Sequence, residues 1–309
     1  MTGAVLDKAA GVDISFTDNK NRGGARYRAA LGFLMGVERT RQMMKIGFIG
    51  TGNMGGALAS AAARSGEVEV LLANRTKAKA ETLAERIGAV VSSNEIIARE
   101  ADHIFLGVKP QMIVDVLKGI APALKERKSA PVLISMVTGL DIARIQELAG
   151  GDYPVIRIMP NTPVAIGEGM ILCTANSLVT KEELAEFAEA MEYAGICDMI
   201  SEEKIDAASV ISGCGPAFMF MFISAFEEAG KALGLDGEKA RLYAEQTMLG
   251  AAGLALSSKE APEELKIKVC SPGGTTIEGV HSFEQNELSR IVLEAAQASY
   301  RRTLELAGK

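Results

Sequence analysis

The chain has 309 residues, of which 48% are hydrophobic and 23% charged, and its formal net charge is −6. This length and apolar content predict about two folded domains. The acidic balance gives no support to a nucleic-acid-binding protein, whose footprint would be basic and clustered. No apolar run reaches the roughly 18 residues that a membrane-spanning helix needs, so we expect no membrane partner.

The four cysteines form no CxxC pair, and the two histidines lie far apart in the sequence. Because zinc ligands usually come in closely spaced pairs, we expect no metal site. Reduced thiols are the simplest interpretation in so large and apolar a chain. They predict a cytoplasmic location.

Residues 1–43 differ from the rest, with five arginines and little apolar periodicity. Arg22, Arg26 and Arg28 are compatible with an organelle-targeting segment, although four acidic residues in the same stretch argue against one. We predict a disordered, dispensable extension, or an upstream start codon read in place of Met44.

From Met44 onward, strand and helix patterns alternate about every dozen residues. Strands are predicted at 45–50, 67–73, 89–91, 103–108 and 131–136. Helices are predicted at 57–65, 76–87, 94–100, 111–120 and 141–148. Such alternation is typical of an α/β fold with a parallel sheet and helices on both faces.

The pattern changes near residue 202. Apolar runs at 154–159 and 169–174 extend the sheet, and a helix at 181–194 begins after Thr180 as its N-cap. Beyond them we find helical stretches only, at 206–233, 238–257, 262–269 and 284–306. We therefore predict a dinucleotide-binding domain at 44–203 and a helical domain at 204–309. The apolar helices between 217 and 256 indicate a buried homodimer interface.

A glycine loop follows the first predicted strand. Gly50, Gly52 and Gly55 fit G-x-G-x-x-G, and they stand between a strand and a helix, as the motif requires. The first glycine permits a tight turn, the second lets the backbone approach a pyrophosphate, and the third lets the helix pack on the strand. The alternative is an ordinary glycine-rich turn. The predicted cofactor contacts here are Gly50, Thr51, Gly52, Asn53 and Met54.

The second predicted strand ends at Asn74, Arg75 and Thr76. NAD-binding folds usually carry an acidic residue here, which would repel a 2′-phosphate, whereas an arginine can pair with it. This predicts NADPH as the cofactor and leaves NADH open. The alternative is that Arg75 is simply a solvated side chain.

Two more loops follow predicted strands. Val108, Lys109 and Pro110 end the fourth strand, where they can lie against the ribose and nicotinamide. A proline-rich turn at 160–163 adds polar side chains to the same rim. Lys109 is equally compatible with a plain surface charge, and the turn with a plain connection.

In the helical region, 212–216 predicts a kink or a turn between two shorter helices, since glycine and proline are costly inside a helix. The loop 271–276 contains two glycines and three hydroxyls, and free N–H groups in such a turn can hold a carboxylate. A plain helix–helix connection explains it equally well. No Ser–His–Asp arrangement is present, which fits hydride transfer, where the cofactor carries the chemistry.

Together the motifs at 46–55, 108–110, 157–163, 212–217 and 269–280 resemble the pyrroline-5-carboxylate reductase family. The resemblance covers the chain from Met44 to about Leu306, and 269–280 is its most specific part. It implies a Rossmann domain followed by an all-helical dimerisation domain that interlocks with a second subunit, with the substrate site where these meet. It also implies NAD(P)H-dependent reduction of the cyclic imine 1-pyrroline-5-carboxylate to L-proline, the last step of proline biosynthesis.

The resemblance also implies roles for individual residues. Thr276 would be catalytic, with its hydroxyl on the ring nitrogen, and Glu202 would lie near the substrate. Asn94 would lie near the adenosine ribose. The substrate carboxylate would be held by a set of loop residues: Ser271, Gly273, Gly274, Thr275 and Thr276. Assembly of dimers into a larger oligomer is left open.

Two departures from the family pattern are visible. The family often has serine at the position of Cys214 and tyrosine at that of Phe218. A thiol is a weaker donor than a hydroxyl, which puts a polar role at Cys214 in doubt.

Two other functions compete with this one. A β-hydroxyacid or other small-imine reductase would rely on a lysine such as Lys204 or Lys231, but no clear lysine motif is present. A non-catalytic NADPH-sensing protein would keep the glycine loop without needing the loop 271–276.

Overall fold

The computed structural model describes residues 43–306. The predicted extension at 1–43 therefore lies outside the described residues, Met43 excepted. The chain divides after Ile205 into two compact units.

The first unit is an α/β layer structure. Its strands are β1 Met44–Ile49, β2 Val68–Ala73, β3 Val90–Val91, β4 His103–Leu106, β5 Val132–Ser135, β6 Val155–Pro160, β7 Gly169–Ala175 and β8 Gly195–Met199. Its helices are α1 Asn53–Arg64, α2 Lys77–Ile87, α3 Asn94–Glu100, α4 Ile113–Lys125, α5 Ile142–Ala149 and α6 Lys181–Ala190. Short 3₁₀ turns lie at Pro110–Met112, Thr162–Ile166 and Glu192–Ala194.

The eight strands form one sheet in the order β3-β2-β1-β4-β5-β6-β7-β8. The first six follow the doubly wound order of a dinucleotide-binding fold, which confirms the predicted class. Adjacent strands are parallel except β6 and β7, which run antiparallel. The sequence predicted neither this reversal nor strand β8.

Apolar side chains cover both faces of the sheet and are buried under the helices. Phe48 and Phe105 stack on one face with ring centroids 4.4 Å apart, and Ile104 and Leu106 belong to the cluster on the other face. Every residue of β4 and β5 is buried, as expected for parallel strands with helices on both sides. Each large apolar side chain buried in this way contributes about 1.5–3 kcal/mol.

Helix ends in this unit have identifiable caps. Thr180 and Glu183 form a capping box at the start of α6, so the predicted N-cap is present. The predicted helix at 57–65 in fact begins at Asn53, directly after the glycine loop. Its first turn contains Gly55 and Gly56, whose low helix propensity hid the true start.

In the described residues, the second unit is helical. It contains the end of α7 Glu202–Ser212, then α8 Gly215–Ala232, α9 Gly237–Ser257, α10 Pro262–Val269, α11 Thr275–Gln285 and α12 Leu288–Leu306. The break between α7 and α8 corresponds to two helices joined by a short turn rather than one kinked helix. Helix α11 was not predicted. Many large apolar side chains are exposed here, among them Phe220, Met221, Leu242, Leu249 and Leu256.

Candidate functional site

The carboxyl ends of the central strands lie level with one another. Ile49 pairs with Leu106 in the β1–β4 ladder, and Leu106 pairs with Ser135 in the β4–β5 ladder. The chain leaves β1 toward β2 on one side, whereas β4 lies on the other side. Ligands of open α/β sheets bind at such a switch point, outside the carboxyl ends of the strands.

Tight backbone contacts shape the glycine loop at this point. Gly50 has φ +101°, and a Cβ there would lie 2.5 Å from the carbonyl oxygen of Gly107. A Cβ at Gly55 would lie 2.2 Å from the carbonyl oxygen of Gly50. The protein's own packing therefore requires these glycines. Sequence reasoning had not singled out Gly107, which lies in an ordinary-looking strand end.

Gly52 is different, because nothing in residues 43–306 requires a glycine there. Its φ is −69°, which any residue adopts, and a Cβ would meet no atom of the described part of the chain within 4 Å. It is the N-cap of α1, which has no side-chain cap. First-turn N–H groups of a helix attract anions. Open space over these N–H groups is what a closely approaching pyrophosphate needs.

Thr51 and Asn74 connect the glycine loop to the end of β2. The Thr51 N–H donates to Asn74 Oδ1 at 3.3 Å, and Asn74 Nδ2 donates to the Thr76 carbonyl oxygen at 3.0 Å. Within the part of the chain that the structure describes, the buried hydroxyl of Thr51 has no hydrogen-bond partner. Asn74 thus links the two loops through these hydrogen bonds.

Arg75 lies exposed beside the loop that follows β4. Its Nη1 is 4.0 Å from the Met112 sulfur, and no carboxylate pairs with it among residues 43–306. Met112 belongs to the 3₁₀ turn Pro110–Met112, next to the exposed Lys109 and the half-buried Val108. The guanidinium is therefore available to an anion at this edge. Sequence reasoning had missed Met112, whose proximity depends on the path of the turn.

Asn94 is the first residue of α3 and is half-buried. Helix α3 follows the short strand β3, which pairs in parallel with β2. Asn94 therefore belongs to the same carboxyl edge as Asn74 and Arg75.

Glu202 also lies in the first unit, at the start of α7. Its Oε1 accepts a hydrogen bond from the Ile142 N–H at 2.8 Å and lies 3.6 Å from Nη1 of Arg157. The Arg157 side chain is 2% exposed and that of Glu202 is 36% exposed. The partly exposed carboxylate of Glu202 is thus held by the Ile142 N–H and lies close to a buried cation.

The loop 271–276 belongs to the second unit. Gly273 has φ +70°, which favours glycine, and the Gly274 N–H donates to the Ser271 carbonyl oxygen at 2.9 Å. Gly274 is the N-cap of α11, and within the described residues no side chain caps that helix. Thr275 and Thr276 are its first two residues and are exposed. The loop therefore presents uncapped N–H groups and two hydroxyls, an arrangement suited to a carboxylate.

We found no group of histidine, cysteine and acidic side chains suited to a metal ion in residues 43–306. The four cysteines, Cys173, Cys197, Cys214 and Cys270, are free thiols.

Comparison with known proteins identifies the two halves separately. Residues 202–306 match a family model described as pyrroline-5-carboxylate reductase dimerisation. Residues 45–139 match one described as NADP oxidoreductase, coenzyme F420-dependent. A curated pyrroline-5-carboxylate reductase from Corynebacterium melassecola is 35% identical over 267 residues, which cover 85% of this chain and 99% of the relative.

The chain belongs to the pyrroline-5-carboxylate reductase family. Solved structures agree with this assignment. A pyrroline-5-carboxylate reductase from Coxiella burnetii has a TM-score of 0.80 at 32% identity and covers 86% of this chain and 99% of its own. A Plasmodium falciparum pyrroline carboxylate reductase with NADP bound has a TM-score of 0.76 at 31% identity, over 85% of this chain and 98% of its own. The predicted resemblance is thereby confirmed, and with it an oxidoreductase that uses a nicotinamide cofactor.

Family membership also bears on the exposed apolar helices. By length and composition, the stretch Glu202–Ala232 could cross a membrane, although core helices of soluble proteins pass the same test. This stretch falls within the matched dimerisation segment. A protein–protein interface therefore accounts for the exposed apolar side chains of this segment.

Proposed function

We propose that this chain reduces the cyclic imine 1-pyrroline-5-carboxylate to L-proline, with NADPH as the reductant and NADH as a weaker alternative. Relatives named pyrroline-5-carboxylate reductase align with this chain over nearly their whole length. The observation that carries the proposal is the coexistence of two anion-binding arrangements in one chain. One is the open N-terminus of α1 at Gly52, and the other is the uncapped N-terminus of α11 at Gly274.

The cofactor would be held by the loops at the carboxyl edge of the sheet. Backbone N–H groups of Gly52, Asn53 and Met54 would bind the pyrophosphate, since no atom of the described residues fills the space beside Gly52. The exposed guanidinium of Arg75 would pair with the 2′-phosphate. Asn94 would lie near the adenosine ribose. Loop residues Val108, Lys109 and Pro110 would border the ribose and nicotinamide.

When bound, NADPH supplies a hydride to C5 of the imine. The protein's own part is to orient the substrate. Backbone N–H groups in 273–276 would hold the substrate carboxylate, and the Thr276 hydroxyl would contact the ring nitrogen and support its changing charge. Since hydride adds more readily to a protonated imine, a separate general acid is less necessary.

A β-hydroxyacid reductase is the main alternative, and the surroundings of Lys231 weigh against it. Lys231 Nζ lies 2.7 Å from Glu227 Oε1 and 2.8 Å from Glu228 Oε1. Hydrogen bonds that the ammonium group donates to these carboxylates, chiefly to Glu227, raise the pKa of Lys231 above its ordinary value. This lysine is engaged in local ion pairs on α8.

We further propose that the protein is cytoplasmic and works as a homodimer through its helical unit. A larger oligomer would consist of such dimers.

A single assay separates the candidates. Purified protein is mixed with NADPH and 1-pyrroline-5-carboxylate, with NADPH and no substrate, or with NADP⁺ and each of a panel of β-hydroxyacids. The absorbance of the reduced nicotinamide is followed in each mixture. We expect rapid oxidation of NADPH only with the imine. Turnover of a hydroxyacid, or none with any substrate while NADPH binds, would contradict the proposal.

A further inference from the structure

The buried arginine of β6 lies in the same row as the strand ends that form the cofactor edge. Arg157 pairs with Ser135, Ser135 with Leu106, and Leu106 with Ile49, the last residue of β1. Neighbouring strands are about 4.8 Å apart, so Arg157 lies three strands, or about 14 Å, from the strand that opens into the glycine loop. Arg157 and its partners therefore lie at the carboxyl edge of the sheet, where the cofactor is proposed to bind.

Glu202 is one of the groups with which the buried Arg157 interacts. The side chain is 2% exposed, and Glu202 Oε1 lies 3.6 Å away. An ion pair with a buried member gains little net stability, because desolvation offsets much of the attraction. Fixing the position of Glu202 is a role that such a pair performs well.

The two oxygens of Glu202 are in different situations. Oε1 accepts from the Ile142 N–H, the first of α5, and also faces Arg157. This N–H is one of the donors left unpaired at a helix start, where partial positive charge favours a carboxylate. Oε2 has no partner among the described residues. The carboxylate is thus held by one oxygen, while the other is available to a ligand.

We propose that Arg157 is a positioning residue, which together with the start of α5 fixes Glu202 so that Oε2 faces the protonated ring nitrogen of the substrate. The inference rests on the proposed function. A carboxylate held in place would favour the cationic imine over its neutral form and would also favour the secondary ammonium group of the product. Arg157 itself would not touch the substrate.

The test compares Arg157→Met, Arg157→Lys, Glu202→Gln and the double variant Arg157→Met/Glu202→Gln. Arg144→Met is the matched control, because Arg144 lies on α5 but pairs with the exposed Glu147. We expect Arg157→Met and Glu202→Gln each to lower kcat/KM for the imine by about 30-fold, with no further loss in the double variant. Arg157→Lys should recover part of the loss. NADPH affinity and the control should match wild type.

A binding measurement separates positioning from general damage. L-Proline and cyclopentanecarboxylate share the carboxylate and ring, but only the first has a ring nitrogen. We expect Arg157→Met and Arg157→Lys to weaken L-proline binding several-fold and to leave cyclopentanecarboxylate binding unchanged. Equal losses for both ligands, or additive losses in the double variant, would overturn the role of Arg157. A wild-type protein inactive on the imine would instead overturn the proposed function, and this inference with it.

Discussion

Replacing Gly52 by alanine should separate cofactor binding from folding. The added methyl group meets no atom of residues 43–306 within 4 Å, and φ is −69°. Removing backbone freedom from the unfolded chain favours the variant by about 0.4–1 kcal/mol. Alanine is a poorer N-cap than glycine by a similar amount. These two terms nearly cancel, so we expect Tm to change by less than about 3 °C.

The same methyl group would stand between the backbone and a pyrophosphate. Loss of two charge-assisted hydrogen bonds at about 1.5 kcal/mol each amounts to about 3 kcal/mol, or a Kd for NADPH raised about 100-fold. Fluorescence titration with NADPH measures Kd, and thermal unfolding measures Tm. Gly55→Ala is the contrasting variant, because its Cβ would lie 2.2 Å from a carbonyl oxygen and should destabilise the fold. A Gly52→Ala protein that binds NADPH as wild type does would refute the pyrophosphate assignment.

Three further predictions follow from the same structure. Arg75→Ala should lower kcat/KM for NADPH about tenfold and leave kcat/KM for NADH nearly unchanged. Arg64→Ala is the control, because Arg64 is exposed and lies at the far end of α1. Equal effects of Arg75→Ala on both cofactors would contradict the role of Arg75. Thr276→Ala should reduce kcat far more than it weakens NADPH binding, whereas parallel losses would indicate a folding defect. Burial lowers the pKa of His103 below its ordinary 6.5, so the folded state keeps this imidazole neutral while the unfolded chain protonates it near 6.5. The contribution of this neutral imidazole to the free energy of unfolding is therefore complete above pH 6.5 and falls at lower pH. In denaturant unfolding, His103→Gln should lose less free energy of unfolding between pH 7 and pH 5 than wild type does. An equal loss in the two proteins would contradict this account.

Much of the first unit could be predicted because its strands are short apolar runs separated by amphipathic helices. Strand β8 escaped prediction because it has only five residues, begins with a glycine and contains Asp198. Its pairing with β7 is a long-range contact that no local pattern encodes. The same holds for the antiparallel direction of β7, since a strand's own residues do not state its direction.

Helix α11 escaped for a different reason. Its first residues are two threonines and an isoleucine, which have low helix propensity, and Gly279 lies inside it. The missed helix matters for function, because its N-terminus is the proposed carboxylate site.

Sequence motifs located the main loops of the candidate site but not the residues that hold those loops and side chains in place. The glycine loop and Arg75 could be read from spacing and position alone. Gly107, Met112 and the anchoring of Glu202 by Arg157 depend on distances between residues far apart in the sequence. Only the folded structure supplies those.

Isotope transfer tests the central claim most directly. The wild-type protein is supplied with 1-pyrroline-5-carboxylate and NADPH deuterated at C4 on either face, and the proline formed is analysed by mass spectrometry and NMR. We predict L-proline that carries one deuterium at C5 from one of the two labelled cofactors. Cofactor consumption without labelled proline, or deuterium at another carbon, would contradict hydride transfer to the imine by this protein.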